Sequence, residues 1–99
     1  MTEHGTASFI AECYWPDVRN DVVAERVSQV RTTAAAISGR GRSVSLTGSI
    51  AVPEDEIVFL LFDADAAESV RLACEEAAIP FDRIVESIDS RPEPAGSRS

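Results

Sequence analysis

Residues 57–62, Ile-Val-Phe-Leu-Leu-Phe, are apolar at all six positions. The run is far shorter than the ~20 residues that span a bilayer. An acidic turn, Pro53 to Glu56, precedes it and Asp63 follows it. So short a run, rich in branched and aromatic side chains, reads as a β-strand covered on both faces. A chain of 99 residues makes one small domain. Whatever else it forms must therefore bury this strand from two sides.

The remaining elements follow from periodicity. Residues 8–15 read as a strand that stops at Pro16, with Phe9, Ala11, Cys13 and Trp15 on one face and Ile10, Glu12 and Tyr14 on the other. From about Asn20 to Ser38 the spacing of Val23, Val27, Val30, Ala34 and Ile37 is helical. Asp17, Asn20 or Asp21 is expected to cap its start, and Gly39 to supply a left-handed cap at its end. Residues 43–52 alternate, which predicts Val44, Leu46, Gly48, Ile50 and Val52 toward the helices. Ser45 and Thr47 then point to the open side. Asp65 with Glu68 forms a capping-box pattern for a second helix, whose stripe is Ala66, Val70, Ala73, Cys74 and Ala77 and which ends at Ile79-Pro80. Residues 83–88 form a last strand, and the pattern leaves its core-facing side open. Residues 1–7 are expected to be a flexible N-terminus and 89–99, with two prolines, a glycine and three serines, a disordered tail. The domain is thus 8–88.

The order β-α-β-β-α-β is the α+β, ferredoxin-like split-βαβ arrangement. Right-handed crossovers give a four-stranded antiparallel sheet of order 4-1-3-2, with the apolar third strand central. Two helices cover one face of such a sheet. The other face is left apolar, and an exposed apolar patch marks an interface. This predicts a homodimer packed sheet against sheet, of the dimeric α/β-barrel type.

Charge narrows the partners. Seventeen acids against nine bases give −8, which argues against nucleic acid and against an anionic membrane surface. The central strands also lack the basic and aromatic pairing of an RNA-recognition surface. Without a signal-peptide pattern the expected location is cytoplasmic. Cys13 and Cys74 are too few and too widely spaced for a zinc motif, and read as small buried hydrophobes in a reducing compartment. His4 is the single histidine and lies near the N-terminus, so no catalytic triad is built around it.

Glu12 is the residue that most suggests a site, because an acid in a central strand must pair, bind a cation or shift its pKa. Tyr14 shares its face, and Ser45 and Thr47 are placed near the rim of the same inter-sheet cavity. Three readings follow. Glu12 and Tyr14 line a ligand or metal site; or Glu12 is the general base of a small dimeric α/β-barrel enzyme, monooxygenase- or isomerase-like; or Glu12 pairs with an arginine or Tyr14 across a purely structural or partner-binding dimer.

Four segments resemble a family of small bacterial ferredoxin-like proteins, one branch of which is described as nickel-binding. They are Phe9-Ile-Ala-Glu-Cys-Tyr-Trp-Pro16, Val58-Phe-Leu-Leu-Phe-Asp-Ala64, Ala67-Glu-Ser-Val-Arg71 and Ala78-Ile-Pro-Phe-Asp-Arg-Ile84. The resemblance implies a subunit that dimerises through its sheets, with Glu12 matching the family's first-strand glutamate and a divalent metal, nickel, as the cofactor. Members often carry a histidine in the second helix, and Ala73 stands at that place here. Borderline metals prefer nitrogen and sulfur ligands, so this substitution weakens the implied metal site.

Overall fold

A computed structural model describes residues 6–17 and 19–87. The expectations for His4, Ile88 and the tail 89–99 lie outside these residues. The elements are β1 (Ala7–Tyr14), α1 (Asn20–Ser38), β2 (Val44–Val52), a 3-10 turn (Pro53–Asp55), β3 (Ile57–Ala64), α2 (Ala67–Glu76) and β4 (Arg83–Ser87). The sheet order is β2-β3-β1-β4, with β1–β3, β1–β4 and β2–β3 all antiparallel. Read from the other edge this is 4-1-3-2, the expected ferredoxin-like topology.

Both helices lie on one face. Val58, Leu60, Phe62 and Ala64 of β3 are buried there with Phe9, Ala11 and Cys13 of β1. Val30, Ala34 and Ile37 of α1 and Val70, Ala73 and Cys74 of α2 close over them. Trp15 is 2% exposed; its indole N–H donates to the Pro80 carbonyl at 2.9 Å, and the Arg26 guanidinium lies 4.8 Å from the ring centroid. It anchors the end of β1 to the loop before β4. Cys13 and Cys74 are free buried thiols, both pushed up to about 12, by desolvation above all.

Local chemistry differs from expectation in β2 and at the ends of both helices. The alternation in β2 breaks: Leu46 pairs with Phe62, yet Gly48 pairs with the next residue, Leu61. One extra residue, Thr47, sits in a β-bulge and reverses the facing of everything after it. Val44 and Leu46 face the helices as expected, but Gly48, Ile50 and Val52 do not.

The second difference is at the start of α1. Arg19 is the N-cap and receives no side-chain cap bond; the Asp21 carboxylate instead accepts the adjacent Val22 N–H at 3.0 Å. Third, Gly39 is right-handed (φ −67°), and the left-handed glycine is Gly41 (φ 99°). Finally, the capping box at α2 is not formed, since Ala66 is the N-cap. Asp65 accepts from the Ser69 hydroxyl one turn into the helix, and that hydroxyl accepts from Arg42 at 3.0 Å. The helix ends at Glu76 rather than at Ile79-Pro80. Ala78 is left-handed (φ 58°), and N–H groups of Ala78 and Ile79 return to the carbonyls of Glu75 and Cys74. That pair of bonds is a Schellman motif with alanine at the position usually held by glycine.

Candidate functional site on the open sheet face

The register sorts the uncovered face into rows that run across the strands. At one end Ser87, Ser8, Asp63 and Ser45 stand side by side on β4, β1, β3 and β2. The next row is Val85, Ile10, Leu61 and Gly48. Arg83, Glu12, Phe59 and Ile50 follow, and then Tyr14, Ile57 and Val52. The face is therefore a band of apolar side chains with a polar row at one end and a charged corner toward the other. Arg83, Val85 and Ser87 are the open-side residues of β4, while Ile84 packs on the core.

Glu12 occupies the charged corner. Its carboxylate accepts two bonds from one guanidinium, Arg83 Nε at 3.0 Å and Nη2 at 3.1 Å. One reading offered an arginine or Tyr14 across a dimer; the partner is an arginine, from the neighbouring strand of the same chain. Glu12 is 29% exposed and Arg83 66%, so the pair is half in solvent and contributes modestly to stability. The carboxylate in turn raises the affinity of the guanidinium for its proton.

Tyr14 is 54% exposed. Its hydroxyl donates to Glu56 Oε1 at 3.1 Å, not to Glu12, and that bond raises the phenol pKa. The other oxygen of Glu56 accepts the Asp17 N–H at 3.0 Å. Glu56 itself is left-handed (φ 58°). Its carboxylate thus ties the turn before β3 to the end of β1.

Ser45 lies four residues along the sheet from the Glu12 row, about 13 Å at the usual rise per residue. The structure therefore does not bring the four expected residues together. Glu12 and Tyr14 belong to one end, Ser45 and Thr47 to the other. Thr47 lines an open groove of about 440 Å³ with Ser8, Ile10, Leu61, Asp63 and Ser87. In it the Ser8 hydroxyl donates to Asp63 Oδ1 at 3.3 Å, and Thr47 Oγ1 donates to the Leu61 carbonyl at 3.1 Å. Asp63 makes no ion pair among the described residues.

Sequence reasoning missed Arg83, Asp63, Ser8 and Ser87. The polar residue that ends the apolar run, Asp63, was a usable signal. The pairing of Arg83 with Glu12 depends on strand register and had none.

A metal at Glu12 does not fit the residues present. Both carboxylate oxygens are held by Arg83. Among the described residues no three His, Cys, Asp or Glu side chains converge on a common point. Ala73, which the resemblance set opposite a histidine, is buried on the helix side of the sheet.

No family model matches the chain, and no curated protein matches it. Among solved structures, SCO4226 from Streptomyces coelicolor A3(2) is similar, with a TM-score of 0.67 and 21% identity over 86% of this chain and 100% of that one. At that identity the likeness establishes a shared fold. Among the described residues no helix is long and apolar enough to cross a membrane.

Proposed function

We propose that the chain is a small-ligand-binding module that works as a homodimer, its two open sheet faces packed together in the manner of a dimeric α/β barrel. One observation carries this reading. Ile10, Val52, Ile57, Phe59, Leu61 and Val85 are only partly covered, and Ile50 is 52% exposed, all on the face opposite the one that α1 and α2 cover among the described residues. A contiguous apolar face of this size is a site of association or ligand binding in soluble proteins. The polar groups at its two ends would orient a molecule held over the apolar band.

The ligand is organic on this reading rather than a metal, because Glu12 is committed to Arg83. The same pairing argues against Glu12 as a general base, which needs a free oxygen directed at substrate. Two buried thiols, Cys13 and Cys74, suit a reducing cytoplasm.

Sedimentation at micromolar concentration tests the dimer. The expected species has roughly 21 kDa, twice the 10.6 kDa chain. A Phe59→Asp variant, charged in the middle of the open face, should sediment as a monomer with an unchanged circular dichroism spectrum. A wild-type chain that stays at 10.6 kDa overturns the assembly.

A further inference from the structure

The groove at the serine end of the face has a hydrogen-bonding character that selects its ligand. Four polar side chains converge there: Ser8, Thr47, Asp63 and Ser87. An ionised carboxylate only accepts, and Asp63 satisfies one oxygen with a long 3.3 Å bond from Ser8. Ser8 directs its proton to Asp63, and Thr47 directs its proton to the Leu61 carbonyl. Both hydroxyls therefore turn lone pairs outward. The groove is rich in acceptors and carries a negative charge that no described cation neutralises. Arg83, a cation on the same face, is two rows away and bound to Glu12. Beside the polar row lie Ile10 and Leu61, with Val85 next to Ile10.

We propose that this groove binds a primary ammonium carried on a short apolar body. The ammonium has three donors and no acceptor, which matches Asp63 and the outward lone pairs of Ser8 and Thr47. The apolar body lies along the Ile10–Leu61 row. A bare metal ion would find one carboxylate and neutral hydroxyls, too few hard ligands for calcium or magnesium. An organic anion would meet Asp63 with nothing to offset the repulsion. The inference rests on the reading of the open face as a ligand site and adds the chemical class.

Amide chemical-shift mapping on the full chain tests it with three probes of one body, hexylammonium, hexanol and hexanoate, at constant ionic strength. Hexylammonium should shift Ser8, Thr47, Asp63 and Ser87 and bind about tenfold more tightly than hexanol, the factor expected of one hydrogen bond to a charged group. Hexanoate should leave these residues unmoved. Asp63→Asn, an exposed and near-isosteric change, should keep hexanol binding and abolish the preference for the ammonium. Equal binding of ammonium and alcohol, or a preference that survives Asp63→Asn, overturns the cation selectivity and leaves the ligand site standing. No shift from any probe overturns the ligand site as well. Ammonium shifts confined to Glu12, Tyr14 and Glu56 would overturn the location.

Discussion

Replacing Ala78 with glycine should stabilise the fold. Ala78 is exposed and left-handed, at φ 58°, and it closes the Schellman motif that ends α2. A side chain with a Cβ costs about 1–2 kcal/mol in that conformation, because the Cβ crowds the following carbonyl. Glycine removes the crowding but enlarges the freedom of the unfolded chain, which takes back about 0.4–1 kcal/mol. The methyl lies in solvent, so little burial is lost. The net gain is about 0.5–1 kcal/mol, or about 3–6 °C in Tm for a domain of this size. Urea and thermal unfolding followed by circular dichroism, at one fixed protein concentration, would measure it. The control is Ala77→Gly one residue earlier, where the backbone is right-handed (φ −80°). There glycine should cost about 0.5–1 kcal/mol. If Ala78→Gly leaves the midpoint unchanged or lowers it, or if both substitutions move it the same way, the strain argument is wrong.

Further outcomes are expected at Ser69 and at the two cysteines. Ser69 is fully buried and relays Arg42 to Asp65, so Ser69→Ala should cost about 1–1.5 kcal/mol at neutral pH. The Ser69 bond is the main reason the Asp65 pKa falls below the ordinary 3.8, so its contribution is present above that value and lost as acid reaches the folded value. The stability of Ser69→Ala, measured by urea unfolding from neutral into acid conditions, should fall less steeply than that of the wild type; parallel curves would contradict this. The thiols of Cys13 and Cys74, held near 12 against an ordinary 9.0, should resist a thiol reagent at mildly alkaline pH until guanidinium is added. Since the unfolded thiols ionise first, stability should also decline as pH rises above 9.0. Rapid labelling of the native protein would show that the core opens readily.

Periodicity was enough for the topology. The helical spacing from Val23 to Ile37 and the unbroken run at Ile57–Phe62 each admit one element type, and their order admits few arrangements. Both faces of β1 and the apolar open face were legible for the same reason. The facing of Ile50 was not. A bulge at Thr47 inserts one residue without altering the alternation of polar and apolar letters, so the strand reads as regular when it is not. Caps were misread because Asp65 and Asp21 each had a local alternative, Ser69 and Val22, that competed with the expected bond. Glu12 was correctly singled out as needing a partner. Its partner is 71 residues away, and only strand pairing brings them together.

The bulge in β2 also shapes how this chain can adhere to others. A long regular edge strand offers a ladder of free amides and carbonyls to any neighbour, which is the usual route to runaway fibrous growth. Here one edge is kinked at Thr47, and the opposite edge, β4, carries the charged Arg83 and Glu86 among its described residues. Growth from the rims is discouraged on both sides. What stickiness remains is presented broadside, and if two copies meet there, as proposed above, a single matching surface would end the process at a closed, finite complex.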